Sequence, residues 1–496
     1  MSVLAIDAGT TGVTALVVAP EGTVTSRGYQ EFRQYYPQPG WVEHLPEDIW
    51  QAALAACGQA LDEVPGPVTA LGITNQRETA VVWDPSTLTA PRRAIVWQDR
   101  RTARICEELR EAGHELRVSE LTGLRLDPYF TGTKLTWLAA NEPEIGAGLA
   151  GGSLVTGTVD SYLIARLTGG ARHVTDASNA SRTLLFDINT GWWSPELCEL
   201  LRVPIGALPQ VVPSTGVAGR TDPAAFLGLD LPIAGIAGDQ QAALFGQACF
   251  APGDAKCTYG TGSFVLANTG RSIARTATGL VSTVAWMDGA GTLTYALEGS
   301  VFVTGAAVQW LRDGLGLLDN AAQSEDLAAS VPDSGGVVFV PALTGLGAPH
   351  WDPDARGTVF GITRGTTRAH LVRATLEAIA FEVRDACDAM AAGLGTPAPV
   401  LRVDGGGAAN GLLMQMQADQ LQAPVERPEV GETTALGAAF LAGLGTGVWS
   451  SLDEVAATWR LDRRFEPGTR DDAGYARWCR AIQRSGGWAC EPGPGG

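Results

Sequence analysis

The chain has 496 residues, 45% of them hydrophobic and 18% charged, which allows roughly two to four domains with sizeable cores. A net charge of −18 argues against nucleic acid or an anionic membrane as partner, since either would require a basic face. Only two of the 35 basic residues are lysines, Lys134 and Lys256, and no Gly-Lys pair occurs, which excludes a Walker-type phosphate loop.

The N-terminus reaches an acid at Asp7 with no signal-peptide pattern. The eight cysteines are scattered, form no Cys-x-x-Cys pair and fit reduced thiols. Residues 433–452 are uncharged over a membrane-spanning length, but Gly, Thr and Ser dilute them, so a buried helix with a glycine-rich end is expected rather than stable membrane insertion. A cytoplasmic protein is the expectation.

The first element predicted is a hairpin. Two apolar runs, Val3-Leu-Ala-Ile6 and Val13-Thr-Ala-Leu-Val-Val18, flank Asp7-Ala-Gly-Thr-Thr-Gly12. Backbone N–H groups and threonine hydroxyls in such a turn can converge on phosphate oxygens, and Asp7 at the strand end offers an oxygen ligand to Mg²⁺. Taken alone, such a turn is more often a plain tight hairpin, and it is the second turn and the Asp404-Gly-Gly-Gly407 corner that favour a phosphate site. Next, Thr74-Asn-Gln-Arg-Glu-Thr79 interrupts two apolar runs. Adjacent strand residues face opposite ways, so Arg77 and Glu78 can share a ligand only at a bulge or turn; otherwise they are a surface charge pair. Ile95-Val-Trp97 and Asp127-Pro-Tyr129-Phe130 set aromatics beside polar groups, as a polyol wall or as ordinary packing.

Leu231-Pro-Ile-Ala-Gly-Ile-Ala-Gly-Asp239 predicts a buried strand that ends where a helix begins. The positive end of that helix favours an ionised Asp239, which could take the proton of an attacking hydroxyl or simply cap the helix. A boundary is expected near Phe250-Ala-Pro-Gly253, dividing the chain into residues 1–249 and 250–496. Beyond it a second hairpin, Lys256-Cys-Thr-Tyr-Gly-Thr-Gly-Ser263 into Phe264-Val-Leu-Ala267, echoes the first. Leu401-Arg-Val-Asp-Gly-Gly-Gly407 then predicts another strand-to-helix corner. Alternating strands and helices indicate an α/β protein of two related halves with a ligand cleft between them.

These segments, with Pro37-Gln-Pro-Gly-Trp-Val-Glu-His44, Gly157-Thr-Val-Asp160, His173-Val-Thr-Asp176, Gly345-Leu-Gly-Ala-Pro349 and Thr434-Ala-Leu-Gly-Ala438, resemble the FGGY family of sugar and polyol kinases, and within it the glycerol kinases, over essentially the whole chain. The resemblance implies an α/β fold of two actin-like (ribonuclease H-like) ATPase domains flanking a deep cleft. It implies ATP-dependent phosphorylation of glycerol to sn-glycerol 3-phosphate in glycerol catabolism, with Mg²⁺, in a homo-oligomer (dimer or tetramer). Carried over residue by residue, glycerol is held by Arg77, Glu78, Tyr129, Asp239 and Gln240, with Trp97 and Phe264 along its hydrocarbon side and Asp239 as general base. The nucleotide phosphates meet Thr10, Thr11, Gly12 and Thr261, the rest of the nucleotide meets Gly305, Gln309, Gly406 and Asn410, and Mg²⁺ lies near Asp7. The first hairpin departs from the family pattern, with Gly12 in place of a serine and Thr14 in place of a phosphate-reaching arginine. Two other readings remain open. A kinase for another polyol or ketosugar would be told apart by a substrate panel, and a nucleotide-switched interaction protein by turnover that needs no polyol.

Overall fold

The computed structural model describes residues 2–62 and 66–489. Two large sheets organise it. The first contains β1 (Ser2–Ala8), β2 (Gly12–Val18), β3 (Val24–Glu31), β4 (Val68–Asn75), β5 (Thr215–Arg220) and β6 (Pro232–Gly238), in the order β5-β6-β4-β1-β2-β3. The second contains β7 (Ala255–Tyr259), β8 (Ser263–Gly270), β9 (Val281–Met287), β10 (Leu293–Val301), β11 (Leu401–Asp404), β12 (Val425–Pro428) and β13 (Leu461–Phe465), in the order β9-β10-β8-β7-β11-β12-β13.

The echo between the two Gly/Thr turns is one topological unit used twice. Hairpin β1–β2 lies beside parallel β4, and hairpin β7–β8 lies beside parallel β11. The parallel strands are buried on both faces, and β1, β4 and β6 accordingly read as nearly continuous apolar or small-residue runs. Both hairpin turns and the ends of β4, β6 and β11 thus lie at the carboxyl ends of the parallel strands, where open α/β sheets bind ligands.

Six helices matter for the site: α1 (Pro46–Leu61), α2 (Thr131–Asn141), α3 (Asp239–Gly246), α4 (Arg368–Leu394), α5 (Gly411–Leu421) and α6 (Thr433–Thr446). The expected buried helix in the uncharged stretch is α6, and its lack of polar faces has a physical reason: it is enclosed all round. Although it comes late in the chain, α6 packs on β4 and β6 of the first sheet and on α3. That approach is backbone to backbone: a Cβ on Gly437 would run into the Ala242 carbonyl, and one on Gly246 into the Thr433 carbonyl. The seven cysteines among the described residues are free, and Cys490 lies outside them. No described helix is long and apolar enough to cross a membrane.

Candidate active site

The Arg77–Glu78 question is resolved by the backbone. Just beyond β4 the Thr79 N–H donates to the Arg77 carbonyl at 2.8 Å, closing a three-residue γ-turn, and Glu78 at its centre has φ +61°. This is the rarer, strained hand of γ-turn, and a non-glycine residue held so costs on the order of 1–3 kcal/mol. The turn breaks strand alternation, so both neighbouring side chains reach one place. They are 2% and 1% exposed, which rules out a surface charge pair.

Arg77 is enclosed by acceptors. Its Nη1 and Nη2 donate to the two carboxylate oxygens of Glu298 at 2.6 and 3.0 Å, Nη1 also to Gln241 Oε1 at 3.2 Å and Nη2 to the Tyr129 hydroxyl at 3.2 Å. Its Nε lies 3.2 Å from Asp239 Oδ1 and 3.7 Å from Glu78 Oε1. Arg182 completes a buried quartet, donating from Nε to Glu78 Oε1 at 2.6 Å and from Nη2 to Glu298 Oε1 at 2.9 Å. Burial would raise the Glu298 carboxyl, but Arg182 and Arg77 outweigh it and bring it down to about 2, so this acid is ionised. Burial lifts Glu78 above the ordinary glutamate range against the pull of the same two arginines. Glu298 stands on β10 and the other three residues precede α3, so the quartet ties the second sheet to the γ-turn beyond β4.

Asp239 is the first residue of α3 and keeps 27% of its side chain open. Gly238, not Asp239, is the cap; the Asp239 carboxylate accepts the neighbouring Gln240 N–H at 2.7 Å. Burial raises its pKa, opposed by Arg77 and Lys256. Lys256 Nζ also donates to Gln240 Oε1 at 2.5 Å and to Thr258 Oγ1 at 2.8 Å. Because lysine can only donate, the amide oxygen of Gln240 must face it, and the Gln240 NH₂ is left to donate elsewhere. Asp7 has its pKa raised to about 7, first by burial and then by the charge of Asp239. Two carboxylates that repel one another at the mouth of the first hairpin would fit a Mg²⁺ ion arriving with a nucleotide, which needs only one or two protein carboxylates. Among the described residues no cluster of three or more His, Cys, Asp or Glu side chains could hold a metal by itself.

Trp97 joins the aromatic wall to the first hairpin. Its Nε1 donates to Thr10 Oγ1 at 3.0 Å, and its ring meets those of Tyr129 and Phe264 edge-on at 5.7 and 6.2 Å between centroids. A cavity of about 480 Å³ is lined by Thr10, Thr11, Trp97 and Tyr129 from one side and by Thr261 and Gln309 from the other. A second, of about 390 Å³, shares Thr261 and Gln309 and continues past Gly305, Gly406 and Asn410. The first opens between the two hairpins and the second extends it into the second half of the chain, a trough large enough for a small ligand. Asn410 also caps α5, its Oδ1 accepting the Leu413 N–H at 2.9 Å. A further cavity of about 230 Å³, between the β2–β3 turn, α6 and Trp459, touches none of the predicted residues.

Gly12 and Thr14 line neither trough cavity. A Cβ at Gly12 would lie 2.8 Å from both the Tyr29 hydroxyl and the Gln30 carbonyl, so no side chain fits there and only the N–H can serve a phosphate. Thr14 sits opposite Asp7 in the β1–β2 ladder. Sequence reasoning missed Glu298, Arg182, Lys134 and Lys256. A signal was present in Glu298, the one charged residue of β10, and in the lysines, the two exceptions in a chain that otherwise uses arginine.

Residues 2–246 match the N-terminal domain of the FGGY family of carbohydrate kinases and residues 255–446 match its C-terminal domain. Glycerol kinase 2 of Thermotoga maritima is 53% identical over 98% of this chain and 99% of that protein. Glycerol kinase of Gloeobacter violaceus is 54% identical over 98% of this chain and 97% of that protein. Among solved structures, Plasmodium falciparum glycerol kinase with ADP superposes with a TM-score of 0.88 at 35% identity, covering 98% of each chain. A xylulose kinase from Lactobacillus acidophilus, at 21% identity over 98% of this chain and 96% of that one, shares the two-domain fold with a TM-score of 0.83. Matched through both domains and in nearly full length, the chain belongs to the FGGY family of carbohydrate kinases.

Proposed function

We propose that this chain transfers the γ-phosphoryl group of ATP to a terminal hydroxyl of glycerol, giving sn-glycerol 3-phosphate and ADP. The observation that carries the reading is Asp239, a partly open carboxylate of raised pKa beside the buried Arg77 guanidinium, which also donates to the Tyr129 hydroxyl at the edge of the trough. The names of the relatives, glycerol kinases at 53 and 54% identity, support glycerol as acceptor.

In this mechanism Asp239 accepts the proton of the attacking hydroxyl as its oxygen bonds to the γ-phosphorus and the bond from that phosphorus to the ADP oxygen breaks. Glu78 accepts from a second hydroxyl, Arg77 and the Gln240 NH₂ donate, Tyr129 borders the acceptor, and Trp97 and Phe264 cover its carbon chain. Thr10, Thr11, Gly12 and Thr261 meet the phosphates, and Gly305, Gln309, Gly406 and Asn410 follow the rest of the nucleotide. Positioning and charge stabilisation supply most of the rate. Mg²⁺, held near Asp7, would supply positive charge to the phosphates.

The raised pKa of Asp7 gives this arrangement a pH signature. In the free protein Asp7 is protonated below about pH 7 and must lose its proton to meet a metal-bound nucleotide. Affinity for ATP in the presence of Mg²⁺ therefore rises as pH increases from 6 and levels off above 7, with roughly tenfold weaker binding at pH 6 than on the plateau for one group. Calorimetry across this range checks the slope, and Asp7→Asn is expected to flatten it. The transfer itself is tested by ADP release with glycerol as acceptor.

A further inference from the structure

We propose that Lys134 is a positioning residue of the acceptor pocket, fixing the peptide oxygens of Glu78 and Tyr129 so that both residues face the acceptor. The inference rests on the kinase reading above and adds a residue to it.

Lys134 lies in the first turn of α2 and is 0% exposed. Its Nζ donates to the Tyr129 carbonyl at 2.5 Å and to the Glu78 carbonyl at 3.2 Å. Thr131, at the start of the same helix, donates its hydroxyl to that Glu78 carbonyl at 3.0 Å. Two donors from one helix thus hold a single peptide oxygen, and it belongs to the central residue of the γ-turn that lets Arg77 and Glu78 share a site. Were that peptide to relax to ordinary extended geometry, the two side chains would alternate and one would leave the pocket.

The position is an expensive one for a cation. Burial brings the Lys134 ammonium down to about 8, with Glu78, Asp99 and Asp127 favouring its charge and Arg100 opposing it. No carboxylate within 4 Å pairs with it among the described residues; its hydrogen-bond partners are the two carbonyls. An apolar side chain would fill the same core position without the desolvation cost. What an apolar side chain could not do is hold the two peptide oxygens that flank the substrate residues. α2 therefore acts as a clamp on the acceptor pocket, with Lys134 and Thr131 as its contact points.

Lys134→Met keeps the volume and removes the donors. At saturating ATP it is expected to raise the acceptor KM roughly ten- to a hundredfold, with the ATP KM changed by less than about twofold, because the carbonyl contacts it removes belong to acceptor residues only. Thr131→Val is expected to shift the acceptor KM the same way by about threefold, and it decides the matter alone should Lys134→Met fail to fold. A lysine that merely packs α2 would lower the thermal midpoint and leave the acceptor KM where it was; that result in a folded variant overturns the proposal. The wild-type protein is assayed alongside with glycerol and a panel of polyols and ketoses, and the KM is read for whichever acceptor supports turnover. Absence of any acceptor-dependent turnover in the wild type overturns both the kinase reading and this one, whereas normal turnover with unchanged KM in the variants overturns this one alone.

Discussion

Replacing Asp239 by asparagine is expected to lower kcat by on the order of 10²–10⁴ while leaving the fold and ATP binding in place. The substitution is nearly isosteric, and the amide oxygen can still accept the Gln240 N–H that the carboxylate accepts at 2.7 Å. Arg77 loses one of several acceptors but retains both oxygens of Glu298, so the buried quartet survives. What disappears is the group of the acceptor cluster that combines a partly open face with a pKa raised by burial. The variant carries an internal check as well. Asp239 is the second cause of the raised Asp7 pKa, so its neutralisation should move the pH dependence of ATP binding to lower pH. Single-turnover kinetics with purified protein measure the main effect, and turnover above a tenth of wild type would remove Asp239 from the role of base.

Arg77→Ala is expected to act twice. Stripping the acceptor of an enclosed donor costs about 1–3 kcal/mol of binding, or roughly ten- to a hundredfold in glycerol affinity. The same change leaves Glu298 and Asp239 short of their counter-charge in a buried site, and breaking such a pair costs about 3–5 kcal/mol of stability. The two effects separate in a double-mutant cycle. Adding Glu298→Gln to Arg77→Ala removes the stranded charge and should recover much of the stability, but none of the glycerol affinity. Denaturant titration and calorimetry with glycerol read the two quantities independently. Normal glycerol binding by Arg77→Ala would reduce the quartet to a structural ion cluster.

The hairpins and corners that frame the candidate site were legible in the sequence because they are local. Each Gly/Thr hairpin, the Asp239 corner and the Leu401–Asp404 corner are short runs whose strand, turn and helix propensities agree with their final geometry. The trough residues Thr10, Thr261, Gln309, Gly406 and Asn410 could be assembled only through the family resemblance, because hundreds of residues separate the two sides that meet there. Arg77 and Glu78 marked the limit of pattern reading. Strand alternation set them on opposite faces, and a γ-turn held from outside by Thr131 and Lys134 overrode it. The partners of the groups that brace the site, Glu298 and Arg182 against Arg77 and Glu78, and Lys256 against Gln240, were not legible. Glu298 and Arg182 lie far along the chain from the residues they hold, and a buried charge, Lys256 included, is indistinguishable from a surface one until the fold supplies its partner. The packing of α6 on the first sheet was hidden for the same reason, although its uncharged sequence announced burial.

The measurement that bears most directly on the whole account is coupled ADP release by the purified protein with Mg²⁺ and ATP, comparing glycerol with a panel of tetritols, pentitols, ketopentoses and hexoses. Turnover that depends on an acceptor, with kcat/KM highest for glycerol and ATP hydrolysis negligible in its absence, is the predicted result. A higher kcat/KM for a ketose would contradict glycerol as the acceptor that Arg77, Glu78, Gln240 and Asp239 are arranged to hold. ATP hydrolysis at full rate with no polyol present would contradict the kinase reading itself.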